Sequence, residues 1–492
     1  MNTQLPVLVV LIPLLIAPLI VLVRHSTAAW ALYAASAAGS FALAVRCLLL
    51  VREHGVLQAF LGGWEPPFGI EYRVDLLNAI VLCLVSGIGL LVAPMARASV
   101  QREISEPRIY LFYACLALCM TGLLGMTATG DAFNVFVFLE ISSLSGYALI
   151  AMGRSRRALM ASFRYLVMGT VGGTFFLTGV GLLYAITGTL NMADLAGSLT
   201  TGFGNRVLIA ASAFIVIGLA IKIALFPLHA WLPAAYAEAP SAVTAFMAAT
   251  ATKVAAYTLL RFATTVLGPV VVFATLPIGT ILMWLACIAM IVGSAVAIYQ
   301  SDFKQLLAWS SLAQIGYIIL GIALGTADGA GAAVLHMVNH GVIKCGLFVI
   351  AAAMVWRLGG SAVDNVSGMP TRQPLLFAAL LIGLLGLIGV PGTAGFVSKW
   401  ALLQALLAES AWVPIVALLV SSLLAVVYCW RIVEVAWFGA PKDGDARAPS
   451  LPAGFTVSLG ALAVLTIYLG VAAPWLPDWA LEAGAVLYGA AR

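Results

Sequence analysis

Apolar stretches of about 20 residues recur every 30 or so positions from one end of this chain to the other. That pattern restricts the backbone before any single side chain is considered. In hydrocarbon an N–H or C=O cannot turn to water, so a spanning segment is either a helix or a strand of a closed barrel. Barrel strands need about 10 residues of alternating polarity, and these runs are too long and too uniformly apolar. The expected fold is all-α, a polytopic membrane bundle of about 14 transmembrane helices. Composition excludes a water-soluble globule, since only 9% of residues are charged against roughly 25% in soluble domains.

The runs fall at about 4–23, 28–51, 74–94, 109–129, 131–151, 162–187, 205–235, 240–263, 268–299, 302–324, 329–357, 374–408, 411–439 and 452–472. The longest polar stretches, 52–73 and 440–451, are too short to bury a core, so 1–492 reads as one membrane domain. The opening MNTQLPVLVV lacks the basic segment and cleavage site of a signal peptide, which makes the first run a retained helix. A net charge of +5 is no nucleic-acid footprint here, because no basic block exceeds Arg154, Arg156 and Arg157. It sorts by side instead. Lys and Arg at loops and helix ends number fourteen after odd runs and five after even ones. The odd-loop side is therefore expected to face the cytoplasm of a bacterial-type inner membrane, with both termini on the other side. The seven cysteines lie within apolar runs, form no Cys-x-x-Cys pair and read as small buried hydrophobes.

The seventh and twelfth runs exceed a bilayer span and carry Pro and Gly near their middles, in IKIALFPLHAWLP and GVPGTAGFVSKW. Pro227 removes the helical donor of the Ile223 carbonyl and Pro391 that of Leu387, so both runs are expected to be discontinuous helices. Their freed carbonyls need protein or water partners. The breaks sit five runs apart, and an odd-numbered unit repeated in sequence inserts in opposite orientations. This predicts two inverted five-helix repeats, 109–263 and 268–439, after three helices in 1–108 and before a C-terminal helix in 440–492. Interrupted segments at matching places in two halves point to a transport path, with functionless proline kinks as the bland alternative.

Of only six lysines, four (Lys222, Lys253, Lys344 and Lys399) fall inside predicted spans. An ammonium at the bilayer centre costs about 2.5 to 3.5 kcal/mol on insertion scales, so four of them imply polar surroundings and a use. A buried lysine can gain or lose a proton near neutral pH, which arginine cannot. Glu140 is the only carboxylate near the middle of the first repeat, and Lys222, at the seventh-run break, is its expected partner. A pair that opens and closes is a proton switch, and one that stays closed only fixes packing. Lys253 lies one helix further on and can take the proton from Lys222 through water, or else snorkel. His336, His340 and Lys344 stand at i, i+4 and i+8 on one helix face, where imidazoles can pass protons. His-x-x-x-His also suits zinc, but no acid or Cys occupies the adjacent turns and Lys344 would repel a cation. Lys399 mirrors Lys222 and would end the path. His229 either couples the break to Glu238 or is a plain loop histidine. Asp75 reads as interfacial, Arg431 and Glu434 as a local pair, and Asp302 with Lys304 as an ordinary helix start.

In this order the segments resemble the antiporter-like proton-translocating subunits shared by respiratory complex I, membrane-bound hydrogenases and Mrp-type cation/proton antiporters. GDAFNVFVFLEISSLSGYALIA resembles that family's fifth helix, with Glu140 at its key glutamate. IKIALFPLHAWLPAAYAEAPSAVTAF is similar to its seventh-helix break and places Lys222 and His229. TKVAAYTLLR places Lys253, SDFKQLLAWSSLAQIGY matches the tenth helix, HMVNHGVIKCGLF places His336, His340 and Lys344, and GVPGTAGFVSKW places Lys399. The likeness is greatest to the D-type subunit of Mrp antiporters, helped by GGWEPPFGIEYRVDLLNA, by Lys399 where the M-type subunit has a glutamate, and by a chain that ends after about 14 helices. Ala234 and Ala242 depart from the family's WLPDA…APTPVSA loop. The resemblance implies a transporter subunit that works among other membrane subunits and exchanges protons against Na+ or K+. The alternative is the membrane module of a redox complex such as an NADH-quinone oxidoreductase. No flavin, nucleotide, iron-sulfur or other cofactor motif occurs in the chain, so it is not expected to carry a redox step itself.

Overall fold

The computed structural model describes residues 4–199, 206–440 and 450–489. Lys442, Arg447 and Arg492, part of the charge bias above, lie outside the described residues. The helices are α1 (Leu5–Val23), α2 (Ser26–His54), α3 (Leu76–Glu103), α4 (Ile109–Ala128), α5 (Ala132–Ala151), α6 (Arg156–Thr187), α7 (Met192–Leu199), α8 (Arg206–Ile223), α9 (Leu232–Glu238) and α10 (Ser241–Arg261). They continue as α11 (Ile278–Ile298), α12 (Phe303–Ala323), α13 (Ala327–Leu358), α14 (Met369–Arg372), α15 (Pro374–Ile388), α16 (Ala394–Ala408), α17 (Trp412–Phe438), α18 (Ala453–Val471) and α19 (Trp475–Leu487). Thirteen are long and apolar enough to cross a membrane. The short apolar pair α15 and α16 makes the twelfth crossing in two halves, as the sequence predicts, and brings the total to fourteen among the described residues.

Three elements escape the hydropathy pattern. Residues 52–73 are not a plain loop but close as an antiparallel hairpin of β1 (Leu57–Phe60) and β2 (Glu71–Val74). The eighth run continues past α10 in a π-helical turn at Phe262–Val266, and the ninth splits, a π-helical turn at Val270–Thr275 preceding α11, which starts ten residues after the predicted 268. The short α19 packs across α13, where Gly484 lies so close that a Cβ would sit 2.3 Å from the Ala327 carbonyl.

The repeat shows in matching local chemistry. Asp131 caps α5 by accepting from the Asn134 N–H at 2.7 Å, and Asp302 caps α12 by accepting from that of Gln305 at 3.0 Å. Each aspartate also forms an isolated antiparallel bridge with the loop after the next helix, Asp131 with Asn191 and Asp302 with Ala362. Those next helices, α6 and α13, are both 32 residues long and end on a left-handed glycine, Gly188 and Gly359. A broken crossing follows each. Helices α6 and α8 approach closely because Gly172 and Gly218 face each other, a Cβ on Gly218 meeting the Gly172 carbonyl at 2.7 Å.

Two polar cavities lie at opposite ends of the bundle. One, of about 370 Å3, is lined by Arg102, Glu103, Arg154, Glu238, Lys304 and Ser361 among others, all from connections that follow odd-numbered crossings. The other, of about 70 Å3, is lined by Arg73, Asp75, Asn78, Gly130, Met192 and Arg261, all from connections that follow even-numbered ones. The single helix α3 runs from Asp75 in the second to Glu103 in the first. Asp75 starts the third span, as read from the sequence, and lines the second cavity. It caps α3 in a reciprocal box with Asn78 and pairs with Arg261 at 2.8 Å. Burial pushes its carboxyl up, but the Arg261 guanidinium and the Asn78 N–H outweigh this and hold it below the usual carboxylate range.

Candidate functional site

The seventh crossing breaks three residues before Pro227, at Ala224, whose backbone is left-handed with φ 61°. Beyond it the Leu225 N–H reaches back to the Ala220 carbonyl at 2.9 Å, and the Trp231 indole donates to that of Ile221 at 2.9 Å. The break thus takes partners from its own side, and Lys222 is left in the last turn of α8. Its ammonium is buried, donates to the Ser143 hydroxyl at 2.8 Å and the Tyr147 hydroxyl at 3.4 Å, and lies 3.6 Å from Glu140 Oε1. Expected and observed partners therefore agree. Glu140 Oε1 has no hydrogen-bond partner, and it lies over Gly173 of α6, where a Cβ would come within 2.3 Å of it. The contact is an ion pair without a direct hydrogen bond, the looser form of a buried pair.

Lys253, in the middle of α10, is completely buried. It donates to the carbonyl of Ala248 and is 3.5 Å from the Thr252 hydroxyl. It forms no ion pair, and no direct contact joins it to Lys222, among the described residues. The helix passes α13 at Ala249, whose carbonyl a Cβ on Gly341 would approach to 3.0 Å. That crossing point adjoins His340.

On α13 the three predicted residues line one face. The His336 and His340 rings are parallel, 5.8 Å apart. His336 is held at both nitrogens, by Ser398 of α16 at 2.9 Å and Gln314 of α12 at 3.0 Å. His340 is buried with neither nitrogen partnered. Lys344 donates to the Leu307 carbonyl at 2.8 Å and to the Ser310 hydroxyl.

The second break leaves the carbonyls of Leu387 and Ile388 free at the end of α15, as Pro391 and the left-handed Gly389 require. Lys399, one turn into α16, donates to both, at 3.1 and 2.9 Å. Its ammonium lies 4.7 Å from the Tyr317 ring centre, a cation–π contact, and 3.4 Å from the Ser422 hydroxyl. The Gln314 amide also reaches Leu387, and Asn339 of α13 donates to the Ala394 carbonyl at 2.7 Å. The halves of the twelfth crossing are therefore tied to α12 through Gln314 and to α13, which bears His336, His340 and Lys344, through Asn339.

His229 does not meet Glu238. Its ring stacks on Phe226 at 5.2 Å and meets Trp309 edge-on at 5.4 Å, while the Glu238 carboxylate accepts from the Ser155 hydroxyl at 2.7 Å. Arg431 and Glu434 form no ion pair among the described residues, because Arg431 is drawn to the carbonyls of Ile298 and Gln300 at the end of α11. Functional candidates that sequence reasoning passed over are Ser143, Tyr147, Ser310, Gln314, Ser398 and Asn339. Their signal was available, since polar side chains at Ser310, Gln314 and Tyr317 recur with helical spacing in an apolar run.

Residues 129–425 match the family described as NADH:quinone oxidoreductase/Mrp antiporter, TM. The chain is 44% identical over 489 residues to the NADH-quinone oxidoreductase subunit N of Desulforudis audaxviator, covering 96% of this chain and 95% of that one. It is 30% identical over 481 residues to the D-type subunit of the Na(+)/H(+) antiporter of Alkalihalophilus pseudofirmus, covering 97% and 96%. Among solved structures it resembles a chain of the membrane-bound sulfane sulfur reductase, an archaeal respiratory membrane complex, with a TM-score of 0.91 at 31% identity over 99% of this chain and 98% of that one.

Proposed function

Because the chain belongs to the NADH:quinone oxidoreductase/Mrp antiporter family of multi-pass, proton-translocating membrane subunits, we propose that it moves protons along Lys222, Lys253, His340, His336, Lys344 and Lys399, with Glu140 as the gate. In this reading it serves a multi-subunit monovalent cation/proton antiporter together with other membrane subunits. The observation that carries the path is the setting of Lys222: a buried ammonium at a helix break, 3.6 Å from a carboxylate oxygen that makes no hydrogen bond. With Glu140 close, Lys222 keeps its proton. When the carboxylate moves away, the remaining partners are the neutral hydroxyls of Ser143 and Tyr147, and the ammonium, now uncompensated in a dry site, gives its proton up. The N–H bond broken on Lys222 is re-formed on Lys253, and the proton passes by His340 and His336 toward Lys344 and Lys399. His340 suits a relay because neither ring nitrogen is committed. His229 would sense the break through its stack on Phe226.

The charge bias supports placing the odd connections in the cytoplasm and both termini opposite. A second reading is favoured by the 44% identity to a protein named NADH-quinone oxidoreductase subunit N. There the same path would be driven by electron transfer in partner subunits. The test of both is the complex purified through this chain, reconstituted into vesicles with a pH dye inside. Proton flux that follows an imposed Na+ or K+ gradient and vanishes in Lys222→Ala supports the antiporter. Flux that appears only with an electron donor and quinone supports the redox-driven complex. A Lys222→Ala complex that assembles and translocates normally sinks the path.

A further inference from the structure

Lys304 belongs to none of the roles above, and although Asp302 and Lys304 begin α12 as the sequence suggests, its setting goes beyond a helix start. It stands in the first turn of α12, yet is 4% exposed, and it lines the 370 Å3 cavity. Its ammonium donates to the carbonyl of Ala239, the residue that ends α9, at 3.1 Å. No carboxylate lies within ion-pairing distance of it among the described residues. The acids that face the cavity are engaged elsewhere. Glu103 caps α10 through the Ser241 N–H and hydroxyl, each at 3.0 Å, and Glu238 accepts from Ser155. Asp302 accepts from the Gln305 N–H and the Ser361 hydroxyl. Arg102 and Arg154 complete the charged lining. A buried ammonium held by a neutral carbonyl is costly unless it has a use.

The way inward is short. Leu307 is three residues along α12 from Lys304, about 4.5 Å of axial rise, and its carbonyl is the one to which Lys344 donates at 2.8 Å. Ser310, the other partner of Lys344, lies on the next turn. A lysine stem has four rotatable carbons, enough to swing an ammonium from Ala239 toward Lys344.

We propose that the cavity between the odd-numbered connections is a proton mouth and that Lys304 is its port, exchanging protons between cavity water and Lys344. The inference rests on the translocation reading above. In the step the N–H bond of the Lys304 ammonium breaks, a new N–H bond forms on the Lys344 amine, and Lys304 is reloaded from water in the cavity. Because the ammonium also bonds Ala239, at the end of the first broken crossing, loading the port and the position of α9 are linked.

The test uses the reconstituted complex with Lys304→Arg, Lys304→Gln, Lys304→Cys and Lys222→Ala side by side. Lys304→Arg keeps a charge and a donor for Ala239 but cannot release a proton, so a latch tolerates it and a port does not. We expect at least tenfold slower flux in Lys304→Arg and Lys304→Gln, with assembly on native gels unchanged. Aminoethylation of Lys304→Cys restores a titratable amine and should restore flux, whereas a thiol reagent carrying a fixed trimethylammonium should not. Wild-type flux in Lys304→Arg, or equal rescue by both reagents, overturns the port. If that happens while Lys222→Ala is inactive, the port alone falls. If Lys222→Ala is active, the reading it rests on falls too.

Discussion

Lys399 donates to the Leu387 carbonyl at 3.1 Å, so the charge that ends the proposed path is also the donor that closes the break in its own crossing. Lys399→Met should therefore do two things at once. It should stop translocation, and it should leave the Ile388 carbonyl without the Lys399 donor and Leu387 with the Gln314 amide alone, at about 1 to 3 kcal/mol for a group left buried and unpaired. Lys399→Arg separates the effects, because a guanidinium supplies donors but holds its proton. Thermal unfolding of the purified complex should fall for Lys399→Met and stay near wild type for Lys399→Arg, with flux lost in both.

Gly173→Ala tests the gate without touching either charged residue. The added methyl would meet Glu140 Oε1 at 2.3 Å, so the carboxylate must move. We expect flux reduced on the order of fivefold, the equivalent of about 1 kcal/mol, and a further loss in Glu140→Gln. Unchanged flux in Gly173→Ala would mean that the position of Glu140 does not limit the rate.

His340→Phe preserves an aromatic ring stacked on His336 and removes two nitrogens that have no partners to leave behind. Stability should change by less than about 1.5 kcal/mol, as for volume-conserving core swaps, while flux falls by at least tenfold. The same variant with normal flux would confine His340 to packing.

The Asp75 carboxyl is held below the ordinary range once Arg261 has outweighed burial. A depressed folded value means that its stabilisation is full above the unfolded value, about 3.9, and is lost as pH falls through the folded one. Melting of the complex should accordingly show a component that disappears only well below pH 4. In Asp75→Asn that component should be absent and stability at neutral pH lower by about 3 to 5 kcal/mol, the cost of stranding a buried charge.

How much of this could be read from the chain depended on the length scale of the signal. Crossings and breaks were legible because hydrocarbon enforces them over some 20 residues at a time, and Lys222 and Lys399 stood out because a charge in such a run is rare. The first break falls where Pro227 predicts, α8 ending at Ile223, but the left-handed turn at Ala224 that follows carries no sequence signal. Asp302 and Lys304 do begin α12 as read, but the burial of Lys304 was illegible, because cap residues look alike whether the helix end is bare or roofed by other connections. The pairing of Asp75 with Arg261 was likewise illegible, its partner coming from α10, far along the chain. Pairings between distant segments leave no trace in local spacing, and Arg431, drawn to carbonyls of α11 rather than to Glu434, is another instance.

The two polar cavities, one lined from odd connections and one from even, notch opposite ends of the bundle. A voltage across the membrane, worth about 2.3 kcal/mol per charge for each 100 mV, does not then drop evenly over the full hydrocarbon thickness. Water filling such notches short-circuits part of it, and the remaining drop is compressed into the dry protein between them. Lys222, Lys253, Lys344 and Lys399 line neither cavity, so each ångström a proton moves among them does more electrical work than the same ångström in plain lipid.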